Sequence, residues 1–137
     1  MNNKCSMLIL CDYEQKNFVV VESKQSPGMF TFPGGKKENF DNNLKETAIR
    51  EFEEETRFSR TLIDESKVLL LGYMPLDEEN NYSEFFYYKC KLEEFLFLDQ
   101  NMNKEGQVVR ILSAQEMLDR TICLYNNIGI LTLLKNT

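Results

Sequence analysis

Pro33-Gly34-Gly35-Lys36-Lys37-Glu38-Asn39-Phe40-Asp41-Asn42-Asn43-Leu44-Lys45-Glu46-Thr47-Ala48-Ile49-Arg50-Glu51-Phe52-Glu53-Glu54-Glu55-Thr56-Arg57-Phe58 is the stretch that decides the reading of this chain. Two adjacent glycines lead into a helical pattern whose second half carries Arg50 and then four glutamates within five residues. Glu51 faces Glu54 at i+3 and Glu55 at i+4, spacings at which like charges destabilise a helix by about 0.2–0.5 kcal/mol per pair. Such a cluster calls for a compensating charge, and a divalent cation with a taste for hard oxygen ligands supplies one. Asn43 reads as the N-cap, with Glu46 three residues on to complete a capping box. At about 100° per residue, Leu44, Ala48 and Phe52 share an apolar stripe that packs the helix on a sheet. Glu51 and Glu55 lie at the near edge of that stripe and Glu54 slightly further round, while Glu53 points the other way, toward water. Three carboxylates thus line one rim of the buried face, close to the glycine loop. The glycines let backbone approach a ligand without side-chain interference, and Arg50 can hold a carboxylate by a bidentate pair. An acidic run alone usually marks a solvated helix face; the glycine turn and the rim geometry together point to a metal site.

Working outward, Ser6 to Asp12 and Asn17 to Glu22 are apolar, β-branched runs around Tyr13-Glu14-Gln15-Lys16 and read as an antiparallel pair of strands. Ser26-Pro27-Gly28 is a turn before a short strand at Met29 to Phe32. Residues 59 to 66 form a polar connector. Lys67 to Met74 and Ser83 to Leu92 read as strands, the second aromatic-rich: Phe85, Phe86, Tyr87 and Tyr88 alternate across it, so one pair is core and the other faces a neighbouring layer or a pocket. Glu93 to Glu105 reads as loop, Gln107 to Leu112 as a further strand, Ala114 to Leu118 as a short helix capped by Ser113, and Asn127 to Lys135 as a terminal helix. Strands on both sides of a central helix, with two helices at the end, indicate an α/β fold with a mixed central sheet between helical layers. The length of 137 residues suits a single domain over 1–137.

Composition narrows the chemistry. The chain contains no histidine. That removes the Ser-His-Asp triad, the Cys-His pair and His-ligated zinc together. Proton transfer falls to carboxylates, Lys, Tyr, Cys or bound water, and carboxylates favour Mg²⁺ or Mn²⁺. A formal charge of -6 offers no basic face to nucleic acid, and a phosphate-rich ligand would need metal ions to offset repulsion. Cys5, Cys11, Cys90 and Cys123 form no CxxC pair and read as buried or incidental thiols of a reducing compartment. The apolar run Met7 to Cys11 is too short for a signal peptide or membrane span, so the cytoplasm is the expected location.

The loop-helix segment resembles the Nudix box, the signature of hydrolases acting on nucleoside diphosphates linked to another group. The family pattern is Gly, five residues, Glu, seven residues, Arg-Glu, an apolar residue, any residue, Glu-Glu, any residue, Gly, then an apolar residue. Arg50, Glu51, Phe52, Glu54, Glu55 and Phe58 match its second half in register. Arg50 lies fifteen positions after Gly35 rather than fourteen, so the loop carries one extra residue and the early Glu is replaced by Asp41 or Asn42; the late Gly is Arg57. Within the family the chain is most similar to the MutT-type enzymes, which convert nucleoside triphosphates, notably oxidised guanine nucleotides, to the monophosphate and pyrophosphate. Thr31-Phe32-Pro33-Gly34-Gly35-Lys36 is similar to that branch's approach to the box, and Lys104-Glu105-Gly106-Gln107 to a later loop that carries one more acid. Asn127 sits at the start of the terminal helix, where that branch sets an Asn against the base.

The resemblance implies a Nudix-like α/β/α sandwich and metal-dependent hydrolysis of a phosphoanhydride. Glu51, Glu54, Glu55 and Glu105, with a carbonyl of Gly34 or Gly35, would hold Mg²⁺ or Mn²⁺. A box glutamate or Glu105 would assist deprotonation of the attacking water, and Arg50 would orient Glu51 or its partner. Lys36 would offset phosphate charge, and Phe32 and Asn127 would contact the base. Phe32 reads equally as core, Lys36 as a solvated charge, Glu105 as a plain loop carboxylate, and Asn127 as only an N-cap. Partners would be nucleotides, for a monomer or homodimer. Other family substrates stay open at this point: ADP-ribose, for which Pro75 lies at a suggestive distance downstream, dinucleoside polyphosphates, and RNA 5′-triphosphates. A non-catalytic nucleotide-binding module is the reading from another class, and the intact box glutamates argue against it.

Overall fold

The computed structural model describes residues 4–75, 81–124 and 127–137. The two runs richest in apolar residues become the centre of a seven-stranded sheet. Strands β1 (Lys4–Asp12) and β2 (Asn17–Glu22) are joined by a tight turn in which Gln15 takes a left-handed φ of 57° and the Asp12 carboxylate accepts from the Lys16 and Asn17 amides. Leu8 to Cys11 and Phe18 to Val21 are buried on both faces, which is why these runs are continuously apolar rather than alternating. The short strands β3 (Phe30–Thr31) and β4 (Gly34–Lys36) follow; then come the helix α1 (Leu44–Thr56), strands β5 (Leu69–Pro75), β6 (Tyr82–Cys90) and β7 (Val109–Ser113), and the helices α2 (Ala114–Met117) and α3 (Asn127–Lys135).

The sheet is mixed. β1 and β6 run parallel along their whole length, from Lys4↔Tyr82 to Asp12↔Cys90, and β5 lies antiparallel at the edge beyond β6. On its other side β1 is shared between two partners, β2 near Cys11 and β4 near its start; β2 in turn carries β7 along its far side. The strand at Gly34–Lys36 is not visible in the sequence, because glycines carry no strand signal. The stretch expected as one loop from Glu93 to Glu105 contains two 3-10 turns, Leu92–Glu94 and Leu96–Leu98, and the latter buries Leu98.

Parity along the strands sorts the core into two layers. Leu8, Leu10, Val19, Val21, Phe86 and Tyr88 meet Leu44, Ala48, Ile49 and Phe52 of α1. Ile9, Phe18, Val20, Phe32 and Phe85 meet Ile130, Leu131 and Leu134 of α3. The fold is therefore the expected α/β/α sandwich. Cys11, Cys90 and Cys123 are buried in these layers and all four thiols are free; burial pushes Cys11 and Cys90 up to about 12 and Cys123 to about 11, so none is a ready nucleophile. No described helix is long and apolar enough to cross a membrane.

Candidate active site

The site is built where β4 docks on β1 beneath α1. Gly34 pairs with Met7 and Gly35 with Ser6. Neither glycine is replaceable in place, for different reasons. A Cβ on Gly34 would lie 2.5 Å from the Ser6 carbonyl oxygen and 2.6 Å from Met7 Cβ, whereas one on Gly35 would lie 2.5 Å from Cδ of Glu51. Gly34 lets two strands touch; Gly35 makes room for a carboxylate.

The loop after β4 is closed by charge. Asp41 is 3% exposed and accepts both arms of the Arg50 guanidinium, Nε on Oδ1 at 2.9 Å and Nη2 on Oδ2 at 2.8 Å. Thr47 Oγ1 and the Glu38 amide also donate to Oδ2. Of the two residues open for the early box position, Asp41 is thus the one set against Arg50. Asn43 caps α1 as expected, its Oδ1 accepting from the Glu46 amide at 2.9 Å, while the Glu46 carboxylate takes the Asn42 amide rather than that of the cap. At the other end Arg57 itself adopts the left-handed conformation, with φ 66° and its N–H on Glu53 O. Arg57 thus takes a conformation that favours glycine, at a cost of about 1–2 kcal/mol. Glu53 does not simply face water: its carboxylate accepts from the Arg60 amide at 2.6 Å and fixes the connector that follows.

Arg50 is the hub. Besides Asp41 it donates to the Lys36 carbonyl at 3.1 Å, to Glu51 Oε1 at 3.1 Å and to Glu54 at 3.3 and 3.4 Å. The guanidinium ties loop to helix and fixes the azimuth of Glu51. Glu51 and Glu55, one turn apart, meet each other over the glycines. Burial, chiefly, and then the Glu51 charge push Glu55 up to about 8, while the Gly34 amide pulls weakly the other way. Burial also raises Glu51, against the opposing pull of Arg50. Glu54 is exposed and turned to Arg50.

Glu105 is 59% exposed at its side chain and is ion-paired with Lys24, a residue the sequence reading did not single out. Glu51 and Glu55 also lie within electrostatic reach of the Lys24 ammonium. Asn103, likewise missed, is what brings the Glu105 turn to the helix. Its Oδ1 accepts from the Glu105 and Gln107 amides, and its Nδ2 donates to the Glu55 carbonyl at 2.9 Å. Gly106, at φ 81°, completes that turn. Glu53, Glu54, Arg57, Lys104 and Glu105 line one open cleft at the C-terminal end of α1. The signal for Asn103 was the asparagine two residues before Glu105, a residue type that closes turns onto its own backbone.

Three other candidates are placed differently. Lys36 is exposed and contributes its carbonyl to Arg50. Phe32 is 1% exposed and packs edge-on against Phe18 at 6.2 Å, so it is core and offers no open face to a base. Asn127 is 0% exposed; its Nδ2 donates to the Phe30 carbonyl at 3.1 Å and its Oδ1 lies 3.5 Å from Thr31 Oγ1. It clamps α3 to β3.

Among the described residues no three Asp, Glu or Cys side chains surround a common point in metal-holding fashion. The donor chemistry nevertheless fits a divalent cation. Glu51 and Glu55 are hard oxygen donors brought together against their own repulsion, one of them pushed up to about 8, over a cradle that a Cβ at Gly35 would fill.

The NUDIX domain family model matches residues 2–124. The chain belongs to the Nudix family. As such it is a pyrophosphohydrolase, and Nudix enzymes generally use divalent metals such as Mg²⁺. No match is found among curated proteins. Solved structures with the same architecture include a MutT from work on Aliivibrio salmonicida and Vibrio cholerae, 15% identical with a TM-score of 0.67, covering 97% of this chain and 96% of that one. A MutT/nudix family protein from Listeria innocua is 16% identical with a TM-score of 0.69, covering 98% and 92%. Another, from Enterococcus faecalis, is 12% identical with a TM-score of 0.60, covering 82% of this chain and 44% of that one. At such identities the likeness shows the Nudix fold alone.

Proposed function

We propose that this Nudix domain, spanning 1–137, hydrolyses a nucleoside triphosphate to the monophosphate and pyrophosphate in the cytoplasm, with Mg²⁺ or Mn²⁺. The observation that carries the reading is the Glu51–Glu55 pair held over Gly35 by the Arg50 clamp. Glu51 and Glu55, joined by Glu54 and Glu105 and by a carbonyl of the glycine loop, would hold the metal. When bound it would neutralise phosphate charge and lower the pKa of a water.

The chain's own residues do the rest. Arg50, anchored on Asp41, holds the Glu51 carboxylate over Gly35 with Glu55 beside it. Glu51 takes the proton of the attacking water as the new P–O bond forms. The bond to the bridging oxygen breaks, and pyrophosphate leaves with the electron pair. Lys24, paired with Glu105, would exchange that carboxylate for a phosphate oxygen, and the exposed Lys36 would add a second cation.

The experiment is pyrophosphate and phosphate release with Mg²⁺ over a panel of ordinary and oxidised nucleoside triphosphates, ADP-ribose and dinucleoside polyphosphates. Pyrophosphate from triphosphates, lost in excess chelator and in Glu54→Gln, is the expected outcome. Turnover confined to ADP-ribose or dinucleoside polyphosphates would overturn the substrate reading, and turnover indifferent to chelator the site.

A further inference from the structure

Among the described residues one buried side-chain polar atom has no hydrogen-bond partner, and it lies beside the site: Oγ of Ser6, in a residue 1% exposed. A buried hydroxyl left unpaired costs about 1–3 kcal/mol and calls for an account of what it meets. Its surroundings supply one. Ser6 shares strand parity with Leu8 and Leu10, whose side chains pack under α1, so its hydroxyl points to the α1 face. It stands directly opposite Gly35 in the β1–β4 ladder. The space above Gly35 is filled by the Glu51 carboxylate, whose Cδ and two oxygens would all lie within 2.7 Å of a Cβ there. Facing positions in such a ladder are about 5 Å apart, so the Ser6 hydroxyl sits one side-chain reach from that carboxylate. Arg50 occupies Oε1 of Glu51, and an ionised carboxylate has about four acceptor sites.

We propose that Ser6 is a positioning residue for Glu51, whose carboxylate receives the Ser6 hydroxyl in the working site. Arg50 would then hold Glu51 from the loop side and Ser6 from the sheet side, fixing both the azimuth and the depth of the carboxylate. The inference rests on the role given to Glu51 above. On its other side Ser6 is in register with Glu84 of β6, which is turned to the same face and half-exposed, and this defines the control.

The test compares Ser6→Ala, Glu84→Gln and Glu51→Gln in the full chain. Ser6→Ala should keep or raise the metal-free melting temperature, because an unpaired hydroxyl is removed without loss of a bond. It should lower kcat about ten-fold with KM within about two-fold, the size of one hydrogen bond to a charged group. It should also weaken Mn²⁺ binding several-fold without substrate, read as free Mn²⁺ by electron paramagnetic resonance. Glu84→Gln should leave all three unchanged. Wild-type kcat and Mn²⁺ affinity in Ser6→Ala, with Glu51→Gln inactive, would overturn the role of Ser6 and leave the site reading standing. A lower melting temperature with unchanged kcat would show a plain structural hydroxyl. The same losses in Glu84→Gln would redirect the contact to Glu84. An active Glu51→Gln would overturn both readings together.

Discussion

Asp41 and Glu55 are carboxyls at opposite ends of α1, and they titrate in opposite directions. Asp41 is met by Arg50, Thr47 and a backbone amide, and the guanidinium holds its carboxyl down at about 2. Glu55 is half-buried against another carboxylate and is pushed up to about 8. Helix and loop thus divide into an end where Asp41 and Arg50 satisfy each other and an end where Glu51 and Glu55 are crowded together against their own repulsion, leaving a demand for positive charge. The first end is scaffold. The second is where a cation and a phosphate would complete the structure, and unmet demand of this kind is how a preorganised site differs from a stable surface.

The sharpest way to break that division is Glu51→Gln. If the strained pair is the working part, turnover should fall about a thousand-fold, while the metal-free melting temperature holds or rises because repulsion with Glu55 and Glu54 is relieved. Retention of more than a tenth of the rate, read by pyrophosphate release, would make the pair an accident of packing.

The two glycines separate site from scaffold within one dipeptide. In Gly35→Ala the new methyl meets the far end of the Glu51 side chain rather than backbone; stability should change little, but the displaced carboxylate should cost about a hundred-fold in kcat. In Gly34→Ala the methyl meets Ser6 backbone and Met7 Cβ, so β4 must shift. Unfolding free energy should drop by about 2 kcal/mol, in line with overpacking. Denaturant melts and rates on both variants check the contrast; equal stability losses would erase it.

These particulars show how far the chain was readable as sequence. Periodicity placed β1, β2, α1 and α3 because their apolar spacing is set by burial on a face, and the glutamate rim followed from the same helical geometry. Gly34–Lys36 was not readable as a strand, since its pairing is dictated by how close β1 comes rather than by side-chain propensity. The loop residue that meets Arg50 stayed open between Asp41 and Asn42 because one inserted residue shifts the register, and only the closed loop selects the buried one. Lys24 was invisible, and Asn103 legible only as a turn-closing residue, for a common reason. Each acts across a long sequence separation, on Glu105 and on the Glu55 carbonyl, and no local pattern records such a contact. Phe32 misled in the opposite way: its place beside the box said nothing about which face of the sheet it would take.

The well-partnered end carries its own pH signature. Folding lowers the Asp41 carboxyl from its usual 3.8 to about 2, worth about 2 kcal/mol. That stabilisation is present above pH 4 and is lost as pH falls through about 2. Glu55 works on the other limb. Its pKa is raised from 4.5 to about 8, so its contribution is full below pH 4.5 and lost as pH rises through about 8 in metal-free protein. Asp41→Asn should therefore cost about 2 kcal/mol at pH 7 and flatten the acid limb, whereas Glu55→Gln should flatten the alkaline one. Chemical denaturation from pH 2 to 9 reads both, and identical profiles for the two variants would dissolve the distinction between the ends of α1.

The smallest effect tests the distinction on the far face of the sheet. Asn127 is as buried as any described residue, and its amide bonds the Phe30 carbonyl and, at longer range, Thr31. A polar group satisfied in this way belongs with Asp41 rather than with Glu55. Asn127→Ala should lower stability by about 1 kcal/mol, one buried hydrogen bond, by loosening α3 from β3. Because both the Nδ2 and the Oδ1 of this buried amide have protein partners, the order of preference among guanine, oxidised guanine and other triphosphates should stay as in the wild type, with KM moving less than about three-fold. A melting curve and the nucleotide panel on this one variant suffice. If stability is unchanged while guanine preference collapses, Asn127 leaves the Phe30 carbonyl to read the base, and full hydrogen bonding no longer marks scaffold in this protein.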